Sequence, residues 1–263
     1  KTISITGLLA IVRKEFEQIK EHRIKTITYQ LTEVLMSALA MFGLKYPSLL
    51  RFEQNRHEPT LCANLKNLYG VEQAPSDTQM REILDPVAPE ALRLAFRQVH
   101  RELQKQKLLE KYRYLGGYLM SVDGTGQFSS TQIQCDDCCS RVLRNGTVQY
   151  YHQLLAAVIV HPNQKTVLPL FPEAITRQDG ETKNDCERNA AKRLLPALRV
   201  NFPKLRLIVL EDSLAANAPH LRMLQELQMS YIIVVKDTDH AYLKDEVDRQ
   251  MNGGRGNTIE RRE

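Results

Sequence analysis

Residues 118–126 read Tyr-Leu-Met-Ser-Val-Asp-Gly-Thr-Gly, and the fold is decided there. The short apolar run Tyr118–Val122 follows Gly116-Gly117 and is closed by an acid and turn-forming residues, Asp123-Gly124-Thr125-Gly126. This pattern predicts a buried strand that ends at Asp123, where the chain turns. The same texture recurs downstream. Tyr150–Val160 (YYHQLLAAVIV) is a long strand ended by His161-Pro162-Asn163, Thr166–Leu170 is its hairpin partner, and Leu205–Leu210 (LRLIVL) and Tyr231–Val235 (YIIVV) read as fully buried strands. Between them, Asn184 and Glu187 have the spacing of a capping box ahead of Ala190, Ala191, Leu194, Leu195 and Leu198, in a helix that Pro196 should kink or shorten. Pro219–Leu227 reads as a further helix. Strand, strand, strand, helix, strand, helix, strand predicts an α/β domain, a mixed sheet with helices on its faces.

Upstream of about Tyr114 the period is helical. Leu31, Val34, Leu35, Ala38, Leu39 and Phe42 recur at three- and four-residue steps on a helix ending near Gly43 and Pro47. Ser76 is a plausible N-cap before Thr78–Leu84, and a third helix opens after Pro89. On that helix Leu92, Phe96, Val99 and Leu103 line one face while Arg93, Arg97, Arg101 and Lys105 step by four along another, a row that can track phosphates or form a solvated face. The expected division is therefore residues 1–114, helical and suited to DNA binding and assembly, and residues 115–263, the sheet domain.

Of 263 residues, 43% are hydrophobic and 25% charged, which excludes a disordered or collagen-like chain. The longest apolar run is far too short for a membrane helix, and no secretory signal opens the chain, so a cytoplasmic protein is expected. Net charge is +5, and its distribution is informative: residues 1–113 hold 18 Lys+Arg against 13 Asp+Glu, the remainder 18 against 18. A basic section joined to a neutral one points to a polyanion gripped by the former and chemistry done by the latter. The first residue is Lys1 and the last stretch is polar, so the sequence is read as a fragment or trimmed product.

Asp123 and Asp212 occupy matching places, each directly after an apolar run, where α/β sheets put their sites. Carboxylates that converge without a Lys or Arg partner repel, and a divalent cation relieves that repulsion; Mg²⁺ takes one or two carboxylates plus phosphate oxygens. Two turn aspartates are the plain alternative. The five cysteines are odd in number, and Cys135, Cys138 and Cys139 are crowded together, so thiols or a metal fit better than disulfides. Cys135-x-x-Cys138 with Cys139 and His152 offers half of a zinc knuckle; Cys186 is a fourth ligand only if the fold brings it close. His152, on an apolar strand, reads as a hydrogen-bonded core residue or a neighbour of the metal rather than a general base. Lys183, Arg188, Lys192 and Arg193 surround the capped helix, where they either meet phosphate at its N-terminal end or form a surface charge row.

Ser121-Val122-Asp123-Gly124-Thr125 and Leu210-Glu211-Asp212-Ser213, with Cys135-Asp136-Asp137-Cys138-Cys139, the stretch from Arg144-Asn145-Gly146 to Tyr150-Tyr151-His152-Gln153, and Gln178-Asp179-Gly180 through Lys183–Arg193, resemble the RNase H-like catalytic domain of DDE transposases of bacterial insertion sequences. The resemblance runs from about Tyr118 to Tyr242. It implies an RNase H-like mixed sheet flanked by helices behind a helical DNA-binding region, acting in the bacterial cytoplasm at the nucleoid. It also implies that Asp123 and Asp212 are the first two acids of a triad holding two Mg²⁺ (or Mn²⁺) ions ~4 Å apart, one activating a water or DNA 3′-hydroxyl and one stabilising the leaving oxygen. The implied partners are double-stranded DNA, both transposon ends and target, and a second copy of the chain in a homodimer on that DNA. Arg93, Arg97, Arg101, Lys105, Lys183, Arg188 and Lys192 are the candidate DNA contacts.

The third acid of such a triad is a glutamate on a helix after the fifth strand, within Tyr-x-x-Arg-x-x-x-Glu. Here Tyr242 is followed at the Arg position by Asp245, and nothing marks Glu246, Glu260 or Glu263 as ligands. The expectation is that the chain stops before that helix and is inactive alone. Two other classes compete. A phosphatase of the haloacid dehalogenase type is suggested by Asp-Gly-Thr after an apolar strand, but its nucleophilic aspartate lies two positions upstream, where Ser121 stands. A non-enzymatic DNA-binding remnant or regulator would use only the basic helical part.

Overall fold

The computed structural model describes residues 3–24, 27–180, 183–236 and 240–252. Contacts divide the chain into two units, residues 1–113 with Leu168–Phe171, and residues 114–167 with 172–263.

The first unit is helical: α1 (Ile5–Phe16), α2 (Leu31–Gly43), α3 (Leu49–Asn55), α4 (Pro59–Asn64), α5 (Asp77–Leu84) and α6 (Arg93–Lys105). Its helix starts follow side-chain chemistry. Ser4 and Ser48 accept hydrogen bonds from amides in their first turns, and Ser76 with Gln79 completes a reciprocal capping box on α5. Val34, Met36, Ala40, Phe52, Leu65 and Met80 are almost fully buried together. The stripe expected on α2 is rotated. Met36 and Ser37 are inside while Phe42, near the helix end, is 71% exposed. On α6 the buried residues are Ala95 and His100, and the expected face of Leu92, Phe96, Val99 and Leu103 is only half covered.

The second unit is built on one mixed eight-stranded sheet. Strand β1 (Arg113–Tyr114) turns through Leu115 and Gly116, whose φ values of 48° and 74° are those of a type I′ hairpin. Then come β2 (Gly117–Ser130), β3 (Cys139–Val142), β4 (Val148–His161), β5 (Gln164–Pro169), β6 (Glu173–Ile175), helix α7 (Lys183–Asn201), β7 (Leu207–Glu211), α8 (Ala218–Glu226), β8 (Ser230–Ile233) and α9 (Ala241–Asn252). The sheet path is β3-β4-β2-β7-β8, with β1 beside β2 and both β5 and β6 beside β4. Strands β2 and β4 pair antiparallel, while β7 and β8 are parallel to β2, each reached through a helix. Met120, Ile159, Leu207 and Val209 of the sheet and Leu194, Leu195 and Leu198 of α7 are fully buried.

Four local expectations are corrected. Asp123-Gly124-Thr125-Gly126 does not turn the chain: β2 runs on to Ser130 because β4 is equally long and pairs with it throughout, Asp123 lying opposite Ala156. Helix α7 continues through Pro196, where the burial of Leu194, Leu195 and Leu198 outweighs the cost of an interior proline, about 3 kcal/mol. Asn184 lies inside that helix rather than capping it. Strand β8 ends the sheet path, so Tyr231 and Ile232 are exposed rather than buried. Among the described residues, no helix is long and apolar enough to cross a membrane.

Because Leu194 closes the contact of α7 with the sheet, Leu194→Ala should lower unfolding free energy by about 2–5 kcal/mol, the range for emptying a close-packed site. Urea denaturation checks this.

Candidate active site and metal centre

Strands β2 and β7 pair in parallel register from Tyr118↔Leu207 to Ser121↔Leu210. Two residues further along the chain from the last pair stand Asp123, within β2, and Asp212, one residue past the end of β7. Both line one small cleft of ≈ 40 Å³, together with Glu187, Arg188, Glu211 and His220. Asp123 Oδ1 accepts from the Gly124 amide at 2.8 Å; Asp212 Oδ1 accepts from the Leu214 amide at 2.9 Å and so caps the short helical turn Ser213–Ala215. Among the described residues neither aspartate is paired with a Lys or Arg.

Glu187 projects from the first turns of α7 toward the glycine beside Asp123. A Cβ placed on Gly124 would lie 2.5 Å from Glu187 Oε1, so the missing side chain is the space the carboxylate uses. Asp123, Asp212 and Glu187 all line this cleft, with Glu187 on the sheet face of Gly124, the face opposite to that of Asp123. Glu211 is also present but engaged, since His220 Nε2 lies 2.7 Å from its Oε2 and both side chains are buried. Reading Glu187 as a capping residue missed this placement. The available signal was its helical spacing from Ala190, Ala191 and Leu194: an acid continues the stripe that faces the sheet. Of the other acids considered, Glu246 on α9 is tied to Arg249 and Gln250, and Glu260 and Glu263 lie outside the described residues.

The cysteines separate into two sets. Cys135 and Cys138 close a tight turn, with the Cys138 amide donating to the Cys135 carbonyl and the Cys135 amide donating to Cys138 Sγ at 3.3 Å. Both sulfurs face His152: Cys135 Sγ to Cys138 Sγ is 3.5 Å, and their distances to His152 Nε2 are 3.3 and 3.2 Å. This trio can hold a metal ion such as zinc. Cys139 does not join it. Cys139 pairs with Tyr151 across β3 and β4, and adjacent residues of a strand point to opposite faces, so it is turned away from His152. Burial and the neighbouring Cys186 push the Cys139 thiol up to about 11. A groove of ≈ 1140 Å³ opens on that side, lined among others by Phe128, Arg141, Tyr151, Arg177 and Cys186.

The basic candidates are unevenly available. Arg93 is stacked on Phe171 at 5.1 Å from the ring centroid, Arg97 is half-buried, and Arg101 and Lys105 are exposed, the latter 3.6 Å from Glu102. Arg188 and Lys192 are exposed on α7, whereas the side chain of Lys183 lies outside the described residues. Arg193 is not a phosphate contact. It donates to Glu173 at 2.7 Å, to both oxygens of Asp179 and to the Ala174 carbonyl. Compared with known families and curated proteins, the sequence matches no family model and no relative.

Arg193 neutralises two buried carboxylates and so fixes α7 beside the cleft. Burial alone would raise the Asp179 carboxyl, but hydrogen bonds from Arg193 and the Thr176 amide lower it net. A depressed carboxyl pKa contributes stability that is present above the unfolded value near ~3.9 and lost as pH falls toward the folded one. Arg193→Ala should therefore cost about 2–3 kcal/mol at pH 7, less than the ~3–5 of a fully buried pair because Arg193 is 44% exposed, and the cost should shrink as pH falls below ~4. Denaturation at pH 7 and pH 3 measures both.

Proposed function

We propose that the chain is a DNA transposase of the DDE type by descent, and that its second unit is an RNase H-like catalytic domain for cutting and joining DNA at insertion-sequence ends. The observation that carries this reading is that Asp123 and Asp212 each stand two residues beyond the last parallel pair of β2 and β7 and line one cleft. The sheet path also supports it: three successive antiparallel strands, then two parallel strands reached through helices.

The donors in the cleft are hard carboxylate oxygens, and the aspartates lack basic partners among the described residues, a set suited to Mg²⁺ or Mn²⁺ rather than to softer metals. Asp123 and Asp212 would hold the ions, which supply nucleophile activation and leaving-oxygen stabilisation for phosphoryl transfer. The Gly124 and Leu214 amides each hold one oxygen of their aspartate, orienting one carboxylate within β2 and the other just past the end of β7. Glu187 is the acid best placed to join them, through the space at Gly124. Arg188 lines the same cleft and Lys192 the adjoining depression, where both can meet DNA phosphate. A DNA-binding remnant would keep these basic contacts and lack the metal.

Asp123→Asn and Asp212→Asn should each weaken Mn²⁺ binding by at least about 10- to 100-fold, the loss that even outer-shell changes cause at metal sites. Mn²⁺ titration followed by paramagnetic resonance reads this, with circular dichroism confirming an intact fold. Gly124→Ala, which forces the Glu187 carboxylate aside while leaving both aspartates in place, should weaken Mn²⁺ binding as well. Mn²⁺ affinity unchanged in both aspartate variants would end the two-metal reading; metal-dependent nicking of supercoiled DNA, lost in both, would establish it.

A further inference from the structure

The carboxylate cleft leaves one constellation unused. Cys135, Cys138 and His152 come together although 17 residues separate the first from the last, and each is placed by a different local cause. The Cys135–Cys138 turn sets both sulfurs on one side. His152 is placed by the long β2–β4 ladder, where Phe128 is its cross-strand partner after the register shifts between Gly126 and Phe128. The two rings lie 6.3 Å apart.

We propose that Cys135, Cys138 and His152 form a zinc clasp, binding one Zn²⁺ through two thiolates and the Nε2 atom of a neutral imidazole, with water as the fourth ligand. Ideal tetrahedral coordination with Zn–S of ≈ 2.3 Å and Zn–N of ≈ 2.0–2.1 Å separates two sulfurs by about 3.8 Å and sulfur from nitrogen by about 3.6 Å. The observed 3.5, 3.3 and 3.2 Å form a triangle of the same shape, contracted by a few tenths of an ångström. Binding releases two protons, one from each thiol, and puts the remaining imidazole proton on Nδ1. Cys135 is exposed, which leaves the fourth position to solvent. Cys139 and Cys186 are excluded by the strand alternation that turns Cys139 to the opposite face.

The clasp has a structural consequence. Residues 131–137, which link β2 to β3, are exposed throughout. Zinc ties the end of this excursion to the middle of β4, one residue from Tyr151, and so holds Cys139 and Arg141 in the wall of the large groove. This inference does not depend on the carboxylate cleft, because soft thiolates select a different metal from hard carboxylates.

The test uses the whole chain, reduced and stripped of metal. Zn²⁺ should bind at one equivalent per chain, and Co²⁺ in its place should give thiolate-to-metal charge transfer with the intense d–d bands of a tetrahedral site. Cys138→Ser and His152→Ala should each weaken Zn²⁺ by more than about 100-fold, beyond the range of outer-shell changes, while Cys139→Ala and Cys186→Ala keep the cobalt spectrum. Zn²⁺ should also slow cleavage before Asp136 and Asp137 by an Asp-specific protease. The proposal is overturned if the wild-type chain takes up less than one equivalent, if Co²⁺ shows the weak bands of an octahedral site, or if Cys139→Ala or Cys186→Ala abolishes the spectrum. Cleavage that zinc leaves unchanged would remove the clasp even where the metal binds.

Discussion

The antiparallel ladder between β2 and β4 is the constraint on which both candidate sites depend. Ala156 lies opposite Asp123, and four residues back along β4, roughly 13 Å away, His152 lies opposite Phe128. One rigid two-stranded ribbon therefore presents a carboxylate at one level and, at another, an imidazole that with Cys135 and Cys138 could hold a metal. The bulge at Gln127 makes the second placement possible. Without the extra residue, strand alternation would set Gln127 rather than Phe128 against His152, and the chain would leave β2 on the wrong face for the Cys135–Cys138 turn.

The remaining elements serve that ribbon. Strand β7 adds in parallel on one side, and Asp123 and Asp212 each stand two residues beyond its last pair with β2. Helix α7 packs across the face formed by Met120, Val122, Leu155 and Ala157, and the row Met120, Val122, Gly124 ends in the residue with no side chain. The helix stripe ends correspondingly in Glu187. A gap in the strand and an acid on the helix are complementary, so the core closes at the point where the polar cleft begins. Arg193, two turns further along α7, anchors the helix by neutralising Glu173 and Asp179. It fixes the position of Glu187 without entering the cleft.

The apolar runs of the sheet were legible because parallel strands buried on both faces leave continuous hydrophobic sequence, as in Leu205–Leu210. The same rule misled at Tyr231–Val235, since edge or centre is a property of the sheet order and not of the run itself. Asp-Gly-Thr-Gly looked like a turn because local propensity favours one. A 14-residue partner strand overrode it by continuing the cross-strand ladder past Gly126 to Ser130. The two aspartates were found as a pair from their shared position after apolar runs. Glu187 was hidden by a capping pattern that fits its neighbours equally well. For the cysteines, spacing alone marked Cys135 and Cys138, while the rejection of Cys139 required strand pairing that no linear pattern encodes.

On the proposed reading, charge balance bears on what the cleft would receive. Asp123, Asp212 and Glu187 all line one small cleft of ≈ 40 Å³, and carboxylates that share a site favour a counter-charge. Among the described residues, several nearby cations are engaged elsewhere or exposed. Arg193 is consumed by Glu173 and Asp179, His220 is spent on Glu211, and Arg188 is an exposed side chain screened by solvent. The middle of β2 and the turn after β7 hold the aspartates and backbone amides orient them, so little side-chain order would be lost on binding the proposed ions.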